Sequence, residues 1–414
     1  MKANEFKMTP DMLSIVAHEL DEKINAGLVE NDLELRCLPT YVNPKSKFPE
    51  KRVLVLDLGG TNFRAAIVKF LKQSIIIESM NQRDLTEIMK REKGQEAKDT
   101  DLFDAFIDIM KDLGSLEGID DIGYCFSYPC ENEPTGDAKL IEWTKGVNVK
   151  GMVGKPIGDS LIKYFNSKLG TSFKNIAVIN DTVAALLCGC IEQTDACTYI
   201  GLIVGTGTNM AGLFPSKGVP KLSSDYKGKN ILINLESGNF NPPYSIAEDD
   251  LLDEGSNNQG RQRFEKRVSG MYLGNLLEYS FPYYDFGRKF DAEGLTNIMS
   301  TPDIYDFDIV KTADWIYERS AKLVAASLAG LIFNLSKKQS VKKVCITAEG
   351  GLYWSKDTAS DSIRSFKSYS DIVKDELDKL LKEIVADDIE VNIVQKKNAN
   401  ILGTAVAAIS VAKD

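Results

Sequence analysis

Histidine is almost absent: the 414-residue chain has one, His18. Ser-His-Asp and Cys-His nucleophiles, HExxH zinc sites and phosphohistidine transfer all need an imidazole in suitable company. His18 lies in MTPDMLSIVAHEL, where Thr9 reads as a helix N-cap and Pro10 as the first helical residue, so a helix-surface role is the expectation. Chemistry in this chain must therefore run on carboxylates, lysine, hydroxyls and backbone amides.

Other absences narrow the class. The 7 cysteines are odd in number and dispersed, with no CxxC; Cys188 and Cys190, the closest two, sit in an apolar run. That usage reads as reduced and intracellular. No apolar stretch approaches the roughly 20 residues of a membrane span, and MKANEFKMTPDML lacks a signal-peptide core. A cytoplasmic protein with no membrane partner is expected. Positive charge is in deficit, 50 Lys+Arg against 60 Asp+Glu for a net charge of -10, which disfavours nucleic acid as a partner.

What is present is a large apolar fraction, 43%, in a chain long enough for two or three domains. After a helical N-terminus and the connector LPTYVNPKSKFPEK, RVLVLDLGG reads as a buried strand, followed by NFRAAIVKF and SIIIESM as strands and DTDLFDAFIDIMKDLG as a helix. GYCFSYP and NIAVIND read as further strands, with helices over 157–169 and VAALLCGCIE. CTYIGLIVGTGTN then restarts the alternation, with MAGLF and NILINLESG, helices around 261–279 and 311–338, strands KKVCITAEGG and IEVNIVQ, the helix SDIVKDELDKLLKEIVA, and a closing helix LGTAVAAISVA. Two α/β units, each opening on a strand that ends in a Gly-rich hairpin, imply a duplicated architecture with a ligand cleft between the halves.

The hairpins are the first candidate site. In Asp57-Leu58-Gly59-Gly60-Thr61-Asn62 the glycines allow a tight turn whose amides can approach phosphate closely; Asp57 suits water-mediated Mg²⁺ and Thr61 a phosphate contact. Alone this would be an ordinary turn, but Gly205-Thr206-Gly207-Thr208-Asn209 repeats the arrangement, as a clamp on a triphosphate requires. Neither is a P-loop, since no Gly-Lys-Ser/Thr follows, nor a dinucleotide fingerprint, since a strand rather than a helix comes next. Asn180-Asp181 ends an apolar strand, where a carboxylate facing the crevice can accept a hydroxyl proton; an Asp N-cap is the plainer alternative. Ser127, Thr144, Lys145, Asn209, Glu236 and Glu265, each dismissible as a loop or cap residue, together suit a polyhydroxylated ligand.

These blocks resemble the eukaryotic-type hexokinases over nearly the whole chain. LPTYV with LDLGGTNFR is similar to that family's opening and first phosphate loop, FSYP with LIEWTKG to its sugar signature, and INDTVAALL to the block with its catalytic Asp. GTGTN, INLESGNF, DEGSNNQGRQRFEKRVSGMYLG, ERSAKL and ITAEGGLY resemble its second phosphate loop, sugar motifs and adenosine segments.

The resemblance implies a duplicated, ribonuclease H-like, actin-like ATPase fold. A small α/β domain (52–181 plus 402–414) would close on a large one (1–51 plus 182–401). It implies transfer of the γ-phosphoryl group of MgATP to the 6-hydroxyl of a hexose, with glucose the leading candidate, as in glycolysis. Asp181 would be the base and Lys145 would stabilise charge. Ser127, Thr144, Lys145, Asn180, Asp181, Asn209, Glu236 and Glu265 would bind sugar. Asp57, Gly59, Gly60, Thr61, Asn62, Arg64, Gly207, Thr208, Gly350 and Gly351 would surround ATP, with Asp57 and Asp181 reaching Mg²⁺ through water.

The chain departs from the family at Ser237 and Asn239 (usually Trp and Ala), Arg261 and Arg263 (Gln and an apolar residue) and Glu349 (Asp), which bears on sugar specificity and the adenine side. A non-catalytic sugar sensor and an actin-like ATPase or chaperone are the competing readings. Retention of Asp181, Lys145 and both hairpins opposes the first, and the WTKG and two Glu motifs oppose the second. Bacterial-style sugar kinases with a His- and Cys-rich zinc motif are excluded by the single His.

Overall fold

A computed structural model describes residues 2–31, 34–42, 48–72, 74–92, 94–144, 146–192, 197–223, 226–287, 290–355, 367–385 and 388–411. Helix α1 (Pro10–Gly27) starts as its sequence requires: Thr9 Oγ1 accepts the Met12 amide, Pro10 occupies the first turn, and His18 is exposed, its ring edge-on to Phe333. Strand β1 (Leu38–Thr40) follows. The hairpin β2 (Lys51–Gly59), β3 (Asn62–Phe70) and then β4 (Ile75–Asp84) lead through α2 (Thr86–Met89) and α3 (Asp99–Met110) to β5 (Asp121–Phe126). The short pair β6 (Cys130–Asn132) and β7 (Ala138–Leu140) precedes α4 (Ile157–Leu169), β8 (Asn175–Ile179) and α5 (Asp181–Gly189).

The second half runs β9 (Cys197–Val204), β10 (Thr208–Pro215), β11 (Asn230–Asn234), then α6 (Ala247–Glu254), α7 (Arg263–Val268), α8 (Gly270–Ser280), α9 (Ala292–Ser300) and α10 (Phe307–Lys338). It closes with β12 (Lys343–Glu349), α11 (Tyr369–Ile384), β13 (Glu390–Val394) and α12 (Ala399–Val411).

The duplication is explicit in the sheets. One has the order β4-β3-β2-β5-β8; the other repeats it as β11-β10-β9-β12-β13, with β1 added at its edge. In each, the opening strand forms an antiparallel hairpin with the next and lies parallel to the fourth, and the fourth and fifth are parallel. The long apolar runs of β2, β5 and β8 follow from burial on both faces.

Each half has its own core, one containing Leu54, Phe106, Tyr124 and Phe165, the other Val16, Leu202, Phe264 and Leu328. A third core joins them. It contains Val53 and Val55 of β2, Ala184 and Leu187 of α5, Leu232 of β11 and Ala405 and Ile409 of α12. The helix that follows each sheet's fifth strand packs against the opposite sheet, α5 on β9 and β12, α12 on β2, β5 and β8, and the two helices pack on each other.

The helix expected around 261–279 is broken. Ser269 is extended (φ -91°, ψ 154°), and the break lets the Gly270 amide donate to Gly205 O at 2.7 Å, binding α8 to the second Gly-rich turn. Periodicity alone runs through such a break, because both pieces bury the same face.

Candidate active site

The two Gly-rich turns face each other across the cleft between the sheets. In the first, Gly59 pairs with Asn62, Gly60 takes φ +65°, and Tyr128 Oη donates to Gly60 O at 2.7 Å. A Cβ on Gly59 or Gly60 would meet no atom within 4 Å, so the space above these amides is open to a ligand. Thr61 is tied sideways: its Oγ1 donates to Asp84 and accepts from Thr86 Oγ1 at 2.9 Å, and Leu85 N donates to Thr61 O at 2.8 Å.

The second turn closes with Gly205 N donating to Gly207 O at 2.9 Å, and Glu265 Oε2 accepts the Thr208 amide at 3.0 Å. Gly350 (φ +115°) packs against Val204 and Gly205 so closely that any Cβ there would overlap Val204 O. Gly351 opens on free space.

Asp181 is the first residue of α5, and the cap is Asn180, whose Oδ1 accepts Thr182 N at 2.9 Å. The Asp N-cap alternative is thus corrected by one residue, because Asn180 has the extended backbone a cap needs (φ -74°, ψ 153°) while Asp181 is helical. Asp181 Oδ1 accepts Thr182 N at 2.8 Å, which fixes the carboxylate at the cleft wall.

An amide network joins the remaining polar residues. Asn209 Nδ2 donates to Asn234 Oδ1 at 2.8 Å and to Asn180 Oδ1 at 3.4 Å; Asn209 Oδ1 accepts Ser237 N at 3.1 Å; and Asn234 Nδ2 donates to Glu236 Oε1 at 2.8 Å. Glu236 is left-handed (φ 55°), a conformation rare for a glutamate, and one this network holds in place.

Asp57 lies deeper, 2% exposed, with Arg64 on Oδ2 through Nε (2.7 Å) and Nη2. Burial raises its carboxyl above the usual value, Arg64 opposes this, and the Asp181 charge adds to the rise. Glu349, facing Arg64 across the sheet end, is pushed up by burial to about 7, and its Oε1 is buried without a hydrogen-bond partner.

The residues named from sequence therefore converge. Gly59, Gly60, Thr61, Asn62, Ser127, Thr144, Asn180, Asp181, Gly207, Thr208, Asn209, Glu236, Glu265, Gly350 and Gly351 line one cleft of about 540 Å³. Asp57 and Arg64 sit beneath it as an ion pair. Lys145 lies outside the described residues.

Sequence reading missed Lys90, the one cation among the described residues lining this cleft, as well as Gln262 and Asn400. Lys90 is the C-cap that follows the four-residue α2, in a Lys/Glu-rich stretch with no motif to mark it. A second hollow of about 740 Å³, including Thr206, Met271, Asn275 and Gly351, adjoins the turns and has room for a nucleoside. A groove of about 550 Å³ between α10 and α11 shares no residue with the cleft, and its lysines are spent in pairs such as Lys322–Glu318 and Lys379–Glu376.

Among the described residues, no group of three or more His, Cys, Asp or Glu converges as a metal shell. Asp181, at the cleft wall, fits outer-sphere contact with an ion carried by nucleotide phosphates, while Asp57 is buried beneath the cleft against Arg64.

Two facing Gly-rich turns, duplicated sheets and an amide–carboxylate cleft define an actin-like, two-lobed sugar-kinase architecture. The chain belongs to the hexokinase family: family models described as Hexokinase match residues 2–191 and residues 199–282 and 293–410.

Hexokinase-3 of Rattus norvegicus is 32% identical over 82% of this chain, and Hexokinase-2 of Schizosaccharomyces pombe 26% identical over 99%. The chain spans 37% of the rat protein's length and 30% of that of the Mus musculus Hexokinase-3, but 96% of the fission-yeast protein. The fold matches a Schistosoma mansoni hexokinase structure complexed with glucose at TM-score 0.78, with 24% identity over 99% of this chain and 97% of that one. It also matches a Thermus thermophilus ROK hexokinase at TM-score 0.52, with 17% identity over 86% of this chain and 97% of that one. No helix among the described residues is long and apolar enough to cross a membrane.

Proposed function

We propose that the chain transfers the γ-phosphoryl group of MgATP to the 6-hydroxyl of a hexose, glucose first among them. The observation that carries this is Asp181, fixed at the wall of a cleft whose other sides are two phosphate-sized Gly turns and the Asn209–Asn234–Glu236 network. Glucose in the schistosome protein supports the choice of sugar.

In this reading Asn180, Asn209, Glu236, Glu265, Ser127 and Thr144 hold the sugar hydroxyls, and Asp181 takes the proton of the attacking one. Amides of the turns at 59–62 and 205–208, with Lys90, would face the polyphosphate of MgATP, whose charge a bound magnesium would help to neutralise; Lys145 is assigned its charge-stabilising role from the family resemblance alone. Because water is also a nucleophile, the lobe of 52–181 with 402–414 closes on the rest only when sugar is bound.

The test is ADP release with and without glucose. Hexose-dependent release is expected; sugar-independent ATPase activity, or none with any hexose, sinks the proposal. Asp181→Asn should lower kcat by about 10²–10⁴ while glucose binding persists. A non-catalytic sensor would instead bind glucose and never release ADP.

A further inference from the structure

A carboxylate at the outer end of the cleft is gripped from the opposite lobe. Glu142 follows β7, and its neighbours Leu140, Val147 and Val149 belong to the core of the smaller lobe, with Trp143 packed against it. Arg36 is flanked by Leu35 and Cys37, and Arg261 is followed by Phe264, all three in the core of the larger lobe. Arg261 Nη1 donates to Glu142 Oε2 at 2.9 Å and its Nη2 to Oε1, while Arg36 Nη2 donates to Oε1 at 3.2 Å. These side chains line a hollow of about 300 Å³ that shares Thr144, Glu236 and Gln262 with the main cleft.

From this geometry we infer that Glu142, held by Arg36 and Arg261, is a clasp across the mouth of the sugar cleft that sets how tightly a hexose is retained; the inference rests on the hexose-kinase reading above. An isolated exposed ion pair contributes little, but a two-pronged guanidinium grip reinforced by a second arginine is the geometry in which such a pair counts. Arg261 is half exposed, so burial is not what places it there. Its hydrogen bond holds the Glu142 carboxyl below the usual range, so the clasp stays charged at working pH.

Glu142 precedes Thr144 by two residues, and drawing it toward the larger lobe brings that sugar-facing segment with it. In this reading sugar enters and leaves past this point, since the hollow shares sugar-side residues with the cleft and none of the glycines of the two turns. Glu142 is thus a positioning residue: its loss speeds hexose release and leaves the reacting atoms in place.

The experiment uses the full chain with Glu142→Gln, Arg261→Gln and the double variant. Glucose affinity is read without nucleotide from tryptophan fluorescence, Trp143 adjoining the clasp, and KM for glucose, KM for MgATP and kcat are read at steady state. Each single variant should raise the glucose Kd and KM about five- to tenfold, with MgATP KM and kcat unchanged. The double variant should be no weaker than the weaker single. Raising KCl from about 0.05 to 0.5 M should weaken glucose binding by wild type and not by the variants.

Unchanged glucose affinity in Arg261→Gln, or additive losses in the double variant, overturns the clasp. If Glu142→Gln does not fold, Arg261→Gln at its half-exposed position carries the test alone. A wild-type protein that neither binds glucose nor phosphorylates any hexose overturns the functional reading instead, and the two failures are thereby separated.

Discussion

Glu349 stands at the end of β12, one residue before the Gly350 turn, and burial moves its titration to about 7 from an ordinary 4.5. Below that pH the carboxyl is neutral; above it, a half-buried charge stands in the cleft wall, where the proposed reaction would bring the polyphosphate. KM for MgATP is therefore expected to rise as pH passes through 7, and Glu349→Gln to flatten the rise. Because the folded state prefers the protonated form, the group favours folding below the ordinary value and loses that contribution as pH climbs toward 7. Glu349→Gln should thus resist urea better than wild type at pH 8, with the gap closing by pH 5. Residues of this kind were legible in sequence where a glycine turn or strand end marked them, as with Asp57 and Asp181, whereas Glu349 stood out only as a departure from the family's Asp. Lys90, Gln262 and Glu142 were not, since an ordinary polar side chain acquires its role only from what a distant segment places opposite it.

At the scale of elements, β2 to β5, α4 and β8 were readable from apolar runs and turn signals, most clearly β2, β5 and β8, because a strand buried on both faces has few other ways to be written. The interruption at Ser269 was not, since what breaks the helix is a tertiary hydrogen bond from Gly270 to Gly205. Nor was α6, which is rich in acid because its Asp249 is consumed internally. Asp249, 2% exposed, takes both Nη groups of Arg319, its Oδ2 lies 3.4 Å from Arg267 Nε, and the three join α6, α7 and α10. Removing the shared carboxylate leaves two buried guanidiniums uncompensated. Asp249→Ala should cost about 3–5 kcal/mol, measurable as a lower urea midpoint, and should loosen Glu265, which is on α7 and supports the Thr208 amide.

Across the whole molecule, the two halves are joined through the α5–α12 seam. Gly403 of α12 lies so close to α5 that any Cβ would overlap Ala184 O. Gly403→Ala should force the helices apart, costing about 1–3 kcal/mol and blunting the sugar-induced compaction expected in small-angle scattering. A seam of alanine, glycine and branched aliphatic side chains, with no ion pair among the described residues, also suits two surfaces that would shift slightly on closure of the cleft. The duplicated order of the sheets was foreseeable from the repeated strand-to-glycine pattern, whereas the exchange of α5 and α12 between sheets has no local signature.

That exchange also orders events during biosynthesis. Strands β2, β5 and β8 are complete once Ile179 has been made, yet the helix covering their inner face begins only at Ala399. Until that helix leaves the ribosome, an apolar sheet face stands uncovered, the kind of surface that nascent-chain chaperones recognise and that aggregates when they are scarce.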